Sequence, residues 1–242
     1  MRLGIIGGMG PLATAYFMEL IAKMTKASGD GDHLETIVYN CPSIPDRTKY
    51  ILGESKENPY PKMLQKGQAL VFQGADCVAI PCMTAHYFRD KLVEQGIPAI
   101  HGIRETARTL YEAGVKRVGI MATDGTIRSG IFQKELESFG LEVVIPEEKY
   151  QREVMSMIYD GVKAGHIPEQ SRVYKVKDYF IKEQKAQAVI LGCTELSLLK
   201  QAYDLGDGVI DTLEVLAKTA ILKCGKEINP EYETLCVPCM EH

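Results

Sequence analysis

Short runs of β-branched and other apolar residues alternate with amphipathic stretches of helix length along most of the chain. The first run, Leu3–Gly7, precedes Pro11 and then apolar residues at helical spacing as far as Met24. Proline favours the first turn of a helix, where its missing N–H needs no partner, and the spacing gives that helix one apolar face. Because strands that alternate with helices form parallel sheets flanked by helices, the pattern predicts an α/β fold.

The alternation continues as far as residue 223. The further predicted strands are Thr36–Tyr39, Cys77–Pro81, Arg117–Met121, Gln187–Leu191 and Val209–Ile210. The further predicted helices lie near residues 63–73, 84–95, 103–113, 132–139 and 211–223. Residues 43–61 contain several prolines and lack periodicity, which predicts a long ordered loop or flap. Residues 225–242 are polar and predict a C-terminal tail.

The two halves of this alternation resemble each other. In the first, Cys82 ends a strand 78 positions after Gly4, and in the second, Cys193 ends a strand 74 positions after Gly119. The repeat predicts two similar three-layer α/β halves with mainly parallel sheets, related by a pseudo-two-fold axis, with an active site in the cleft between them. The expected domains are residues 1–100 together with 209–224, residues 101–208, and a tail at 225–242.

The composition narrows the class of protein. The 242 residues carry a net charge of −4, which argues against a nucleic-acid or anionic-membrane partner. No apolar run approaches the length of about 20 residues that a membrane helix needs, and the N-terminus does not read as a secretion signal. We therefore expect a cytoplasmic protein whose seven cysteines are free thiols.

Two of these cysteines occupy matching positions. Cys82 and Cys193 each follow a predicted buried strand, and Thr84 and Thr194 lie beside them at the start of a predicted helix. The positive end of a helix dipole and the unpaired N–H groups there stabilise a thiolate, which is a base or a nucleophile. Cysteine is also a common small core residue, but the matching contexts favour a functional role for this pair.

A pair of thiols that face each other across a cleft suits one class of reaction. One thiolate can remove a proton from a carbon atom while the opposite thiol delivers a proton to the other face, which inverts the configuration. Without a cofactor, positioned hydrogen-bond donors and cations must stabilise the carbanion. By contrast, Cys41 and Cys77 are better explained as packing residues.

Three motifs carry a resemblance to a known family. The segments Gly7-Gly8-Met9-Gly10-Pro11-Leu12-Ala13-Thr14, Pro81-Cys82-Met83-Thr84-Ala85-His86 and Gly192-Cys193-Thr194-Glu195 resemble the cofactor-independent aspartate/glutamate racemases, which use two cysteines. The resemblance covers residues 1 to about 223, and the order and spacing of the motifs carry it. It implies an amino-acid racemase that needs no pyridoxal phosphate or other cofactor, takes a small acidic amino acid as substrate, and forms a homodimer.

The resemblance also implies roles for individual residues. Cys82 and Cys193 match the paired acid and base, and two cations, Arg47 and Lys163, match residues that face the acidic substrate, Arg47 gripping its side-chain carboxylate. The α-carboxylate is expected to bind near Thr84, Thr194 and the adjacent backbone N–H groups. The other residues expected to line the substrate are Met9, Met83, Thr123 and Thr126. No metal ligand is expected.

This chain departs from the family at two positions. The family usually has Asn where this chain has Met83, and methionine cannot donate the hydrogen bond that holds the amino acid. It usually has His where this chain has Leu216, a change expected to matter less. Related two-cysteine enzymes, of the hydantoin racemase or maleate isomerase type, and a non-catalytic protein that binds acidic amino acids therefore stay open as alternatives.

Two further motifs are typical of other kinds of site. Gly8-Met9-Gly10-Pro11-Leu12-Ala13 fits a dinucleotide-binding fingerprint, but the second strand ends in Tyr39-Asn40-Cys41 without the acidic residue that would bind a ribose. The C-x-x-C segment at Cys236 and Cys239, followed by His242, has zinc-like spacing and would need Cys224 as the fourth ligand. We expect neither a nicotinamide cofactor nor a metal, and we read the segment as a surface-packed end.

Overall fold

Seven strands form two separate parallel sheets in the computed structural model, which describes residues 1–239. The first sheet has the order β2-β1-β3 and the second has the order β5-β4-β6-β7. The strands are β1 (Leu3–Gly7), β2 (Thr36–Asn40), β3 (Cys77–Ala79), β4 (Arg117–Met121), β5 (Glu142–Val144), β6 (Ala188–Leu191) and β7 (Val209–Asp211). All neighbouring strands pair in parallel. The prediction of two α/β halves with parallel sheets is therefore confirmed.

Helices connect the strands, as parallel pairing requires. The α-helices are α1 (Pro11–Met24), α2 (Arg47–Leu52), α3 (Tyr60–Phe72), α4 (Arg89–Glu94), α5 (Gly102–Glu112), α6 (Asp124–Ser129), α7 (Ile131–Ser138), α8 (Glu148–Ser156), α9 (Gln170–Asp178), α10 (Thr194–Ala202) and α11 (Thr212–Lys223). Shorter helical turns include the 3₁₀ segments Met83–Phe88 and Val162–Ala164 and the π-helical segments Met157–Gly161 and Tyr179–Glu183. In residues 1–239, no helix combines the length and the apolar character that a membrane span requires.

The chain divides into two compact units. Residues Met1–Gly102 and Leu213–Thr234 form the first unit, and Ile103–Thr212 form the second together with residues 235–239. In the first unit, apolar side chains from the central strand, from α3 and from the segment after β3 share one core, which includes Ile6, Met63, Leu70, Ile80 and Phe88. In the second unit, the fully buried strand β6 (Ala188–Leu191) pairs with β4 on one side and β7 on the other.

Local chemistry explains why chain turns form where β-strands end. Gly8 follows β1 with a φ of +90°, which favours glycine, and a Cβ there would meet the backbone of Cys41. Thr123 follows β4 and caps α6 by accepting a hydrogen bond from the Thr126 N–H at 3.3 Å. The two turns therefore lie at the carboxyl ends of β1 and β4, one at the carboxyl edge of each sheet.

The structure differs from the sequence expectations in several places. The predicted loop at 43–61 contains α2, which Asp46 caps by accepting from the Lys49 N–H at 2.9 Å. Cys82 is followed by a 3₁₀ helix rather than directly by an α-helix. Strand β5 and helices α8 and α9 were not expected. Finally, β7 pairs with β6, so residues 209–212 lie in the second unit rather than in the first.

Residues 225–239, expected to be a tail, are held by backbone hydrogen bonds. Ile228 forms an antiparallel bridge with Thr25, and further along the Gly208 N–H donates to the Val237 carbonyl at 2.8 Å. Cys236 is buried, and burial raises its pKa to about 11. Polar composition alone does not reveal such backbone pairing, because the groups that pair belong to every residue type.

Candidate active site

Cys82 lies in a buried turn just after β3. Its side chain is 5% exposed, and its carbonyl accepts a hydrogen bond from the Ala85 N–H at 3.0 Å at the start of the 3₁₀ helix Met83–Phe88. Met83 and Thr84 occupy the first positions of that helix and are also buried. The turn therefore brings together three of the residues that the sequence predicts for the site.

An apolar cluster backs the Cys82 turn. A Cβ added at Gly102 would lie 3.3 Å from His86 Cε1, 3.3 Å from Leu216 Cδ1 and 3.5 Å from Met83 Cε. Both positions at which the chain departs from the family pattern, Met83 and Leu216, thus pack around the same glycine. Burial lowers the pKa of His86 to about 3, so the ring is neutral near pH 7 and contributes no charge to the cluster.

Arg47 is fixed in place rather than carried on a flexible flap. It begins α2 and is 8% exposed. Its Nη1 donates to the Pro45 carbonyl at 2.9 Å, and its Nη2 donates to the Met9 carbonyl at 3.2 Å. The guanidinium consequently joins the turn after β1 to the start of α2, which brings together two more of the predicted substrate-binding residues, Met9 and Arg47.

Cys193 lies in the corresponding turn of the second unit, after β6. The preceding Gly192 N–H donates to the Met121 carbonyl at 2.8 Å, which fixes the backbone as α10 begins at Thr194. The Cys193 thiol donates to Oε2 of Glu195 at 2.9 Å. Cys193 and Glu195 are 5% and 4% exposed, so the thiol and the carboxylate face each other out of bulk water.

Lys163 approaches this thiol through Glu195. Its Nζ lies 3.8 Å from Glu195 Oε1 and 4.2 Å from the centre of the Tyr159 ring. Its side chain is 26% exposed, whereas that of Glu195 is 5% exposed. The structure therefore groups Lys163 with Cys193 and Thr194, and the cation partly balances a buried carboxylate that would otherwise be costly.

Thr123 and Thr126 form the turn after β4. Their Oγ1 atoms lie 3.0 Å apart, and both residues are buried. Gln151 supports this turn from α8, because its Nε2 donates to the Ala122 carbonyl at 3.0 Å and to Asp124 Oδ1 at 2.6 Å. The two threonines thus share one hydrogen-bonded turn. The Thr123 hydroxyl in this turn also caps α6.

Sequence reasoning assigned no role to Glu195. The available signal was an acidic residue two positions after a candidate cysteine, in the first turn of a helix, where a carboxylate is favoured. Within residues 1–239, no cluster of three or more His, Cys, Asp or Glu side chains is arranged to hold a metal ion. His242, one of the residues considered for a zinc site, lies outside the described residues.

Known proteins are similar to this chain over most of its length. The family model described as Asp/Glu/Hydantoin racemase matches residues 6–220. The broad specificity amino-acid racemase RacX of Bacillus subtilis is 27% identical over 224 residues, 90% of this chain and 96% of that protein. The glutamate racemase of Aquifex aeolicus is 29% identical over 153 residues, 61% of this chain and 58% of that protein.

The solved structure of Picrophilus torridus aspartate racemase is similar over nearly the full length of both chains. The superposition covers 97% of this chain and 99% of the chain of that protein, with a TM-score of 0.82 and 31% sequence identity. The similarity to an aspartate racemase therefore includes both α/β units, whereas the match to the glutamate racemase of Aquifex aeolicus covers about three fifths of each chain.

Proposed function

The chain belongs to the Asp/Glu/Hydantoin racemase family, and on that premise we propose that it interconverts the two enantiomers of an acidic amino acid. It is an enzyme of the racemase type, with aspartate and glutamate racemases among its relatives. The proposed reaction uses Cys82 and Cys193 as the two acid/base groups, without pyridoxal phosphate. One thiolate takes the Cα proton and the other thiol returns a proton to the opposite face.

The observation that carries this proposal is the pair of buried cysteine turns. Each cysteine follows a buried strand and each is 5% exposed, so each sits in a site from which bulk water is largely excluded. Each is followed within two positions by a buried threonine. Such surroundings strengthen electrostatic stabilisation of a carbanion, because charges and dipoles act more strongly where water is excluded.

We assign the binding of substrate to the residues grouped around these turns. Arg47 and Lys163 supply positive charge for the side-chain carboxylate, and Thr84, Thr194 and adjacent N–H groups receive the α-carboxylate. The turns that contain Met9, Thr123 and Thr126 shape the rest of the site. The rigid placement of Arg47 supports this assignment, because a fixed guanidinium loses little entropy when it binds a carboxylate.

A second candidate follows from the packing of Met83. Its side chain is 1% exposed and its Cε is close to Gly102, so this position supplies no hydrogen bond to an amino group. Loss of that donor favours a changed substrate, such as that of a hydantoin racemase or maleate isomerase, or a protein that binds acidic amino acids without catalysis. RacX is described as having broad specificity, which makes a panel of substrates worthwhile.

The deciding experiment is proton exchange in heavy water. The purified protein is incubated in D₂O, without pyridoxal phosphate, with each enantiomer of aspartate and of glutamate and with a panel of other amino acids and hydantoins. Deuterium at Cα is followed by NMR. Exchange supports the proposal. Binding by calorimetry without exchange favours the non-catalytic alternative, and exchange confined to hydantoins or other amino acids contradicts the substrate assignment.

The domain limits, assembly and location belong to the same proposal. We propose two catalytic α/β domains that correspond to the two compact units, a homodimer in solution, and residence in the cytoplasm. Sedimentation velocity at several protein concentrations tests the dimer: a single species near twice 26.9 kDa is expected, and a monomer at all concentrations contradicts it.

A further inference from the structure

The thiol of Cys193 has an anionic neighbour that the proposed reaction does not use. Glu195 Oε2 lies 2.9 Å from Cys193 Sγ and 3.5 Å from Thr194 Oγ1. Both partners of the thiol–carboxylate pair are buried. A hydrogen bond in which the acceptor is ionised is stronger than a neutral one, so this contact favours the form of Cys193 that carries its proton.

The start of α10 is a favourable place for one anion beside Cys193. Helix N-termini stabilise anions through the dipole and the unpaired N–H groups. Glu195 occupies the first turn of the nine-residue helix α10, and Lys163 Nζ is 3.8 Å from its Oε1. A second anion on Cys193 at the same helix end would be repelled by the carboxylate already there.

The Cys82 turn lacks this arrangement. The helical segment that follows Cys82 is Met83–Phe88, and none of its six residues is acidic. His86 in that segment is neutral near pH 7, because burial lowers its pKa to about 3. The two cysteines are equally exposed as whole residues, at 5%, so their overall burial does not by itself favour the reaction of either one.

We propose that Glu195 is a positioning residue that keeps Cys193 as the protonated thiol in the resting protein and leaves Cys82 to act first as the base. The assignment of the base rests on the proposed function, whereas the effect of Glu195 on Cys193 does not. When Cys82 takes the Cα proton, the Cys193 Sγ–H bond breaks and its proton goes to the opposite face of Cα, which leaves Cys82 as the thiol and Cys193 as the thiolate beside Glu195. For the other enantiomer the same steps run in reverse from that form: the Cys193 thiolate takes the Cα proton, and the Cys82 Sγ–H bond breaks to supply the proton to the opposite face.

Other ionisable groups near this pair come from the segment packed against α10. That segment, residues 157–164, contributes Tyr159, Asp160 and Lys163. Asp160 is exposed and therefore screened by water, whereas Lys163 approaches Glu195 directly. Lys163 thus approaches the carboxylate oxygen that the Cys193 thiol does not contact.

The first test uses the unaltered protein. Trace iodoacetamide is added between pH 6 and pH 9, and the modified fraction of each cysteine-containing peptide is measured by mass spectrometry. Because alkylation requires the thiolate, Cys82 is expected to react faster than Cys193 throughout this range. A Cys193 that reacts as fast as Cys82 or faster would overturn the proposal, whether or not the protein racemises any amino acid.

The second test removes the carboxylate charge. In Glu195→Gln the rate of Cys193 alkylation at pH 7 is expected to rise about tenfold or more, since a charge-assisted hydrogen bond commonly changes an equilibrium by at least that factor. Glu195→Asp keeps the charge, and its Cys193 should stay as slow as in the unaltered protein, within about threefold. An unchanged or slower Cys193 in Glu195→Gln would show that the carboxylate does not hold the proton on sulfur.

A matched control separates this effect from a general loss of packing. Glu135 is another buried glutamate of the second unit, and its Oε2 accepts from Arg104 at 2.8 Å. Glu135→Gln removes the same charge and should leave Cys193 alkylation unchanged. A comparable rise in both variants, or loss of the circular dichroism signal in Glu195→Gln, would assign the effect to unfolding, and the comparison of Cys82 with Cys193 in the unaltered protein would then decide.

Discussion

The Sγ atoms of Cys77 and Cys224 lie 3.4 Å apart, although 147 positions separate the two residues in the chain. Cys77 begins β3, and Cys224 directly follows α11, so the contact joins the end of the last helix to the first sheet. Both thiols are buried. Their hydrogen bond is the main cause that raises the pKa of Cys77 and lowers the pKa of Cys224.

We predict that diamide, an oxidant of thiols, links Cys77 to Cys224 in the folded protein. A disulfide needs an S–S distance of about 2.05 Å, which is about 1.4 Å shorter than the present separation. Peptide mapping without reduction should identify the linked pair. Cys224→Ser should remove that peptide, and a product dominated by other pairs, such as Cys236 with Cys239, would contradict the contact.

Each proposed catalytic cysteine should be indispensable for racemisation. In Cys82→Ala or Cys193→Ala one of the two acid/base groups is missing, and the loss of one such group lowers a rate by about 10²–10⁴-fold. Chiral chromatography of aspartate and glutamate after incubation measures the effect. Cys41→Ala serves as the control and should retain its activity. Near-normal racemisation by either single catalytic variant would refute the two-base assignment.

Replacement of Arg47 by lysine should weaken substrate binding more than turnover. Lysine keeps the charge but loses the planar pair of donors that contact the Pro45 and Met9 carbonyls. The KM for aspartate is expected to rise about tenfold or more, with a smaller change in kcat. Arg2→Lys is the control, because Arg2 pairs with the exposed Glu35. An unchanged KM in Arg47→Lys would remove Arg47 from the binding assignment.

Strong local patterns were sufficient to predict the elements that carry the site. The bounds of Leu3–Gly7 and Arg117–Met121 were predicted from apolar runs and agree with the structure. The same reasoning placed Cys82 and Cys193 at strand ends, because a buried parallel strand leaves a distinct apolar run. These parts depend on short-range periodicity, which one sequence contains in full.

Other parts of the fold and of the candidate site depend on contacts that cannot be inferred from the periodicity of the sequence. Strand β5 has three residues and one of them is exposed, so it gives too short a signal. Helix α2 lies in a segment with several prolines, and its cap at Asp46 and the burial of Arg47 distinguish it from a loop. The pairing of Glu195 with Cys193 depends on side-chain conformation at a helix start, which sequence spacing permits but does not determine.

The packing around Gly102 predicts that Met83 and Leu216 are coupled. Asparagine at position 83 would place an amide in an apolar cluster without an assured partner, at a cost of about 1–3 kcal/mol. Histidine at position 216 would face the same environment. Both polar side chains together can share a hydrogen bond, so the double variant Met83→Asn/Leu216→His should be more stable than the sum of the single changes by about 0.5–3 kcal/mol.

Urea unfolding of the four proteins in this cycle measures the coupling. Val71→Asn, combined in turn with Met83→Asn and with Leu216→His, supplies a control. Val71 is exposed on α3, so the change that it causes in the free energy of unfolding should simply add to that of the other substitution. An additive cycle for positions 83 and 216 would show that the two departures from the family pattern are unrelated.

The buried ring of His86 should make stability depend on pH. Its Nε2 lies 3.2 Å from the Ile80 carbonyl, and its ring centre is 6.3 Å from that of His101. Burial lowers the pKa to about 3 from the ordinary 6.5, and positive charge on His101 and Arg89 acts in the same direction, whereas Asp90 opposes it. Keeping the ring neutral in the folded protein therefore costs no free energy above about pH 6.5 and costs progressively more below it.

Between pH 6.5 and pH 3 the unfolded chain binds a proton at this histidine that the folded protein does not. The free energy of unfolding should therefore fall by up to about 1.4 kcal/mol per pH unit across this range. His86→Gln lacks this pH-dependent contribution. The variant should be less stable than the unaltered protein at pH 7, and the difference between their free energies of unfolding should shrink as the pH approaches 4.5. Urea titrations at both pH values measure the difference, with the exposed His166 changed to Gln as the control. A gap between the unaltered protein and His86→Gln that does not narrow with acid would show that the ring is charged within the fold.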